Sequence, residues 1–257
     1  MMNLLANELY KLFRTRKPYA FAAIMIVILV LNFYNYTPGD PMVVWTFRNG
    51  QSVPLNTLDL LSQFMVIFIP IFLGDSVTNE YRRGTLKLAL LRPVRRSGLL
   101  GAKLASLFVF IVIMTAFYVT AAYAVGACCL GWGDGTEYAG SVYSPAQGIR
   151  LTLASAALLV FPFMVYGLFV TAVAVLASRM SLTIISALVI MTIALNLNAV
   201  EAVAPWSPAY QMVYYHKTFI PDPDWGLALQ RTGVLALYAA VMAMFSFRIF
   251  RKKEILH

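Results

Sequence analysis

The sequence predicts an all-α integral membrane protein with six transmembrane helices, and three observations lead to this fold class. Of the 257 residues, 60% are hydrophobic and only 12% are charged, against about 25% charged in soluble domains. Several apolar stretches are long enough to cross the roughly 30 Å hydrocarbon core of a bilayer. The basic residues, which give a net charge of +9, gather in alternate connections between these stretches. That charge on a soluble protein would suggest nucleic acid, but the apolar excess favours a membrane and no nucleic-acid partner.

The first predicted element is an amphipathic interfacial helix over residues 1-17. Leu5, Leu9 and Leu12 fall on one arc of a helical wheel, while Lys11 and Arg14 fall on the opposite arc. Such a helix lies in the inner membrane interface, where its basic residues meet anionic lipid headgroups. The alternative is a plain cytoplasmic extension of the first span.

Six spans are then predicted, with their charged residues near their ends. They cover residues 18-37, 57-77, 102-130, 150-177, 181-199 and 227-248. Short loops rich in Lys and Arg stay cytoplasmic. An even number of spans places both termini on one side, and that side holds 16 of the 20 basic and 4 of the 11 acidic residues. The sequence therefore predicts a multi-pass protein of a bacterial-type plasma (inner) membrane with both termini in the cytoplasm.

Two polar features lie within or beside the spans. The outer connection 200-226 interleaves prolines with Trp and Tyr, which favours either short re-entrant helices or a plain aromatic belt. A few polar side chains of the spans are candidates for lining a transport pathway, or else they hydrogen-bond between helices. These residues are Gln63, Thr192, Asn196, Asn198 and Glu201.

The largest predicted cytoplasmic connection covers residues 79-101. Gly84 should end the helix that leaves the second span, Thr85 can cap a new helix, and Pro93 limits that helix to about two turns. The sequence thus predicts a short helix at the membrane surface, tied at both ends to helices that cross the bilayer.

The residues of this connection carry a family resemblance. Glu80-Tyr-Arg-Arg-Gly84-Thr85, followed by Pro93-Val-Arg-Arg96 and Lys103, resembles the loop between spans two and three of ABC-2-type permeases, the membrane subunits of ATP-binding-cassette exporters. The opening Asn7-Glu8-Leu9-Tyr10-Lys11 is similar to the interfacial helix at the start of many of them. Arg95 departs from the pattern, which has a small polar residue there. The resemblance covers the whole chain and implies one permease domain, 1-257, of the type V exporter class.

The resemblance implies a permease subunit that exports an amphipathic or hydrophobic substrate by alternating access. ATP and Mg²⁺ would bind two separate cytoplasmic ATPase subunits, and this chain would bind no cofactor; in agreement, the sequence has no GxxxxGK[ST] phosphate loop. A second permease chain, identical or paralogous, would complete the membrane unit within the lipid. The residues implied in ATPase docking and coupling are Glu80, Arg82, Arg83, Thr85, Lys87 and Arg92. For the basic ones, the alternative is a role in topology alone.

Two further function classes are left as alternatives. One is a membrane sensor or scaffold subunit of an ABC-like complex that transports nothing. The other is an integral membrane enzyme, which needs converging acid, base or metal groups. His216 and His257 are predicted on opposite sides of the membrane, and the adjacent Cys128 and Cys129 lack zinc-ligand spacing. We therefore predict neither catalytic residues nor a metal site.

Overall fold

The computed structural model describes residues 2–34, 49–82, 96–177, 179–197, 203–220 and 222–252. The α-helices are α1 (Met2–Arg14), α2 (Lys17–Tyr34), α3 (Val53–Asn56), α4 (Leu58–Leu73), α5 (Glu80–Arg82), α6 (Arg96–Leu130), α7 (Pro145–Leu176), α8 (Met180–Leu197), α9 (Pro208–Tyr214) and α10 (Trp225–Lys252). A π-helical stretch, Gly74–Asn79, joins α4 to α5, and 3₁₀ turns occupy Gly50–Ser52, Ala204–Trp206 and His216–Thr218. Over the described ranges, the chain is thus an all-α membrane protein apart from one small hairpin.

Five helical segments of the described chain are long and apolar enough to cross a membrane. They are Leu58–Asn79, Ser97–Leu130, Pro145–Leu176, Met180–Leu197 and Trp225–Arg251. A sixth span results if Leu4–Arg14 and Lys17–Asn32, which meet at a 50° bend, are counted together. The predicted multi-pass helical architecture is therefore confirmed. The bend separates α1 from the predicted first span 18-37, whose last residues, 35–37, lie outside the described residues.

The helices extend beyond the bounds predicted for the spans, and the helix that leaves the second span reaches almost to Gly84, where its end was expected. The helix from the second span continues to Arg82, and α6 already begins at Arg96, so residues 79–82 and 96–101 of the predicted coupling loop are helical. The predicted short surface helix, with Arg83, Thr85, Lys87 and Arg92, lies outside the described residues. Likewise, α7 begins before residue 150.

The early start of α7 has a local cause. Ser144 and Gln147 form a reciprocal capping box, in which the Ser144 side chain accepts from the backbone N–H of Gln147 and the Gln147 side chain accepts from that of Ser144. Pro145 occupies the first helical position, where a missing N–H costs nothing. These local signals fix the start of the helix several residues before its apolar run begins.

A two-stranded antiparallel hairpin was not predicted. Its strands, β1 (Thr136–Tyr138) and β2 (Ser141–Tyr143), pair in the register Thr136 with Tyr143. Ala139 (φ 50°) and Gly140 (φ 81°) form the turn, and positive φ at both central residues suits the right-handed twist of a tight hairpin. The connection between α6 and α7 therefore contains a regular hairpin.

Helices α4, α6 and α7 form the core of the bundle, where Met65, Ile69, Phe110 and Phe163 are fully buried. In contrast, α8 and α10 expose large apolar side chains such as Ile193 and Leu237. We call one end of the bundle the α1 end, where residues 8–17, 75–82 and 96–103 meet. The opposite end is the hairpin end, where residues 49–59, 131–150 and 203–224 meet.

Candidate coupling site at the α1 end

Four charged side chains form an alternating cluster at the α1 end. Lys103 Nζ lies 2.6 Å from Glu80 Oε2 and 3.2 Å from Glu8 Oε2. Lys11 Nζ lies 2.8 Å from Glu8 Oε1 and 2.9 Å from Glu80 Oε1. Each carboxylate thus bridges both ammonium groups. We call Glu8, Lys11, Glu80 and Lys103 the charge cluster.

Burial makes these ion pairs energetically important. The Lys103 side chain is fully buried and that of Glu8 is 5% exposed, whereas Lys11 is 43% exposed. A buried charge is tolerated only when it is paired and hydrogen-bonded. Lys103 Nζ also donates to the carbonyl of Ser76, at 2.6 Å. Because Ser76 lies in the π-helical stretch, Lys103 helps to stabilise a helix geometry that is rare and often found at functional sites.

A cavity of about 310 Å³ lies beside the charge cluster, between the α1–α2 bend and the π-helical stretch. Lys17 forms an ion pair with Asp75 at 2.6 Å, and Asn79 donates to the same carboxylate at 2.9 Å. Apolar side chains, including Phe21 and Phe72, line the rest of the cavity. At this cavity, the Lys17–Asp75 ion pair joins α2 to the π-helical stretch, and it is more exposed than the pair of Lys103 and Glu8.

The charge cluster connects three elements around residues 83–95. Glu80 lies in α5, which ends just before that segment, and Lys103 lies in the second turn of α6, which follows it. Glu8 and Lys11 belong to α1. A movement of α5 or of the start of α6 would therefore act on α1 as well.

Two of the predicted docking residues are described, and they differ in their surroundings. Glu80 is 23% exposed and belongs to the charge cluster, so a reversal of its charge would disturb the cluster as well as any partner surface. Arg82 is exposed at the end of α5. Arg82 is therefore the better residue for testing docking.

The N-terminal helix buries its predicted apolar arc together with an acid beside it. Leu12 is buried, and Leu5 and Leu9 are half-buried. Glu8, which a helical wheel groups with the polar residues of this helix, is also buried. By contrast, the apolar side chain of Phe13 is 52% exposed. The wheel failed at Glu8 because its burial depends on Lys103, a residue distant in sequence.

The remaining interfacial-helix residues divide between the cluster and the surface. Lys11 is half-buried in the charge cluster, whereas Arg14 is exposed and hydrogen-bonds to the hydroxyl of Tyr10. The exposed side of α1 thus carries aromatic and basic side chains, a composition typical of a helix in contact with headgroups.

The described pathway candidates do not converge on one internal site. Gln63, Thr192 and Asn196 are all exposed on the single chain. Thr192 donates to the carbonyl of Leu188 at 2.9 Å, and Asn196 donates to that of Thr192 at 2.8 Å. Asn198 and Glu201 lie outside the described residues. A pathway lined by these residues would need a second chain to enclose it.

A second polar cluster holds the connection before α10 at the hairpin end. Lys217 Nζ lies 3.0 Å from Asp59 Oδ2. Arg231 donates to the hydroxyl of Thr218 at 2.6 Å and to the carbonyl of Tyr214 at 3.1 Å. These bonds attach the short helical turns of residues 203–220 to α4 and α10. Short helical turns are therefore present in the described part of 200-226, for which the sequence left re-entrant helices and an aromatic belt as alternatives.

His216 is buried in this connection, and neither ring nitrogen has a hydrogen-bond partner among the described residues. Burial, with a smaller contribution from Lys217, lowers the pKa of His216 to about 3. The unfolded chain, with an ordinary histidine pKa near 6.5, binds more protons between these values. Stability should be full above about pH 6.5 and fall as the pH falls toward 3.

This predicts a loss of up to about 2 kcal/mol from His216 between pH 7.5 and pH 5. Thermal unfolding in detergent at both pH values, for the wild type and His216→Phe, measures it. We expect a smaller pH-induced shift of Tm in the variant, because its apolar ring takes up no proton. Equal shifts in both proteins would contradict this role of His216.

Within the described residues, no group of three or more His, Cys, Asp or Glu side chains is placed to hold a metal ion. The arrangement at the α1 end is one of opposite charges that join helices.

These features define the class: the chain is a multi-pass helical membrane protein with a charge-linked N-terminal helix. Residues 19–256 match the family described as protein of unknown function (DUF2705), and the chain belongs to that family. No curated protein matches the sequence.

Proposed function

We propose that the chain is the permease subunit of an ATP-binding-cassette exporter, with its ATPase on a separate chain. The observation that best supports this function is the charge cluster, which links α1 to the two helices on either side of residues 83–95. An ATPase that pushes on this segment would move three elements at once. Closure and opening of paired ATPases would then rock the spans.

The proposed orientation places the α1 end in the cytoplasm. The basic residues of the connections at that end support this, since cytoplasmic loops are enriched in Lys and Arg. Arg82 and Arg179 are both exposed there. The proposed location is a bacterial-type inner membrane, with both termini cytoplasmic.

We propose a second permease chain as the other half of the membrane unit. Helix α8 exposes Thr192 and Asn196 among large apolar side chains. Amides and hydroxyls on lipid-facing surfaces are unfavourable, whereas they stabilise helix–helix contacts. Contact with another chain would cover them, and the enclosed surface would suit an amphipathic or hydrophobic substrate.

Charge reversal of the docking surface tests the ATPase partnership. The chain is co-expressed with the ATPase from a neighbouring reading frame, and their co-purification is measured. We expect Arg82→Glu combined with Arg92→Glu to lower the recovered ATPase at least tenfold, because an acidic partner surface would meet like charges. Arg179→Glu, at an exposed position of another connection at the same end, is the matched control.

Equal ATPase recovery with the double variant and the wild type would contradict docking at this surface. Reconstitution of the complex in vesicles separates an exporter from a sensor or scaffold. An exporter should hydrolyse ATP faster when a transported amphiphile is present and should accumulate it on the other side of the membrane. ATP hydrolysis without accumulation would favour the sensor or scaffold.

A further inference from the structure

A groove of about 640 Å³ runs between α6 and α7 on the outside of the bundle. Its α7 wall extends from Leu153 to Met164, which at 1.5 Å per residue is about 17 Å. Half of the hydrocarbon core measures about 15 Å. The groove therefore matches the depth of one membrane leaflet.

The lining of the groove is apolar and opens toward the lipid. Phe108 of α6 and Leu153 of α7 are 48% and 55% exposed at its edges. Ala116, Ala156 and Ala157 leave space between these larger side chains. An unbranched hydrocarbon chain fits such a narrow surface channel.

A cation lies on α7 just beyond the end of this groove, outside the residues that line it. Arg150 is one helical turn before Leu153, on the arc of α7 that also carries Ala157 and Met164, since these positions are separated by three, seven and fourteen residues. Arg150 is exposed, and no acidic side chain of the described residues lies within ion-pair distance of it. Arg150 and Asp222 together line a separate cavity of about 550 Å³.

We propose that the groove and Arg150 form a binding site for an anionic phospholipid of the leaflet at the hairpin end. One acyl chain lies in the groove, and the phosphate group accepts hydrogen bonds from the guanidinium of Arg150. Arg binds phosphate well because its planar donors match the phosphate oxygens. This site does not depend on the proposed ATPase partnership.

The hydroxyl of Thr115 allows a test of whether the ligand inside the groove is an acyl chain or carries a polar group. Thr115 lines the groove, is 4% exposed and has no hydrogen-bond partner among the described residues. An acyl chain makes no hydrogen bond to this hydroxyl, so Thr115→Val should leave phospholipid binding unchanged. A ligand with a polar group inside the groove would bind the variant more weakly.

Native mass spectrometry of the full chain in mild detergent measures the retained phospholipid, and thermal unfolding measures stabilisation by added phosphatidylglycerol and phosphatidylcholine. We expect the wild type to retain one phospholipid and to be stabilised more by phosphatidylglycerol. Arg150→Gln should abolish that preference, and Ala157→Phe should reduce retention at least tenfold because its ring fills the groove. Ala116→Phe repeats the second test from the facing helix.

Matched controls are Ala240→Phe, at an exposed position of α10, and Arg248→Gln, at an exposed position elsewhere on α10; both should behave as the wild type. A wild type without retained phospholipid would overturn the proposal. So would unchanged retention in both groove-filling variants, or an unchanged lipid preference in Arg150→Gln. Weaker binding in Thr115→Val, with no effect of Arg150→Gln, would point to a polar groove ligand and would also overturn it.

Discussion

Replacement of Lys103 by methionine is expected to lower the free energy of unfolding by about 3–5 kcal/mol. The methionine fills most of the same space, but it removes the buried ammonium group from both Glu8 and Glu80 and leaves the buried Glu8 carboxylate paired with the more exposed Lys11. It also removes the donor to the Ser76 carbonyl. Removing one partner of a buried pair costs more than the pair contributes, because the remaining charge stays desolvated.

Limited trypsin cleavage detects this loss of stability at the bend between α1 and α2, where we expect the first local unfolding. Arg14 and Arg16, both possible trypsin sites, lie at the bend between α1 and α2. When α1 detaches, this bend becomes accessible. We expect faster cleavage there in Lys103→Met, together with a lower Tm in detergent.

Two variants separate the charge effect from simple loss of packing. Lys11→Met removes the more exposed ammonium and should cost only about 1 kcal/mol, since exposed ion pairs contribute little. The triple variant Lys103→Met, Glu8→Gln, Glu80→Gln removes the stranded charges, so it should be more stable than Lys103→Met alone. A triple variant that is less stable than the single one would contradict the role assigned to the charge cluster.

The sequence predicted the architecture well where the signal is local and repeated. Charge-free runs identified the helices because a membrane span must be apolar along its whole length. Their ends were less accurate. Residues 79–82 and 96–101 are helical although they lie outside the predicted spans, because hydropathy marks the part of a helix inside the bilayer and a helix can continue beyond it.

The charge cluster could not be predicted because it depends on contacts between residues far apart in sequence. A helical wheel classifies Glu8 as a solvent-facing acid, whereas the fold buries it against Lys103, 95 positions away. One sequence signal was present: Lys103 is a single charge near the start of a long apolar run. The hairpin also has a sequence signal: Ala139-Gly140 separates two short segments rich in tyrosine and β-branched residues.

The second large effect is expected at the hairpin end, where two backbones touch at Gly50 and Gly126. A Cβ atom on Gly50 would lie 2.5 Å from the carbonyl carbon of Gly126, and one on Gly126 would lie 2.7 Å from the Gly50 carbonyl oxygen. Since real Cβ atoms do not approach backbone so closely, the two segments must separate. We expect Gly50→Ala and Gly126→Ala each to cost about 1–3 kcal/mol.

Separation of the two segments would also weaken the hydrogen bonds between residues 50–51 and residues 131–133. The backbone N–H of Gly50 donates to the carbonyl of Gly131 at 2.7 Å, and the side-chain amide of Gln51 donates to the carbonyl of Gly133 at 2.6 Å. Amide hydrogen exchange in residues 49–56 and 131–138 should therefore become faster in both variants. Gly233→Ala, where a Cβ meets nothing within 4 Å, is the control and should be neutral or slightly stabilising.

A double variant tests whether the two glycines serve the same contact. Once one added Cβ has moved the segments apart, the second added Cβ meets a weaker clash. The loss of unfolding free energy in the double variant should therefore be smaller than the sum of the losses in Gly50→Ala and Gly126→Ala. Full additivity would mean that the two sites act independently.

With the charge cluster at the α1 end, this contact ties α4 to α6 at both ends, so the two helices should move as one body. If the chain is an exporter, loosening either attachment should reduce transport more than ATP hydrolysis, because movement of the segment 83–95 would no longer reach the far side.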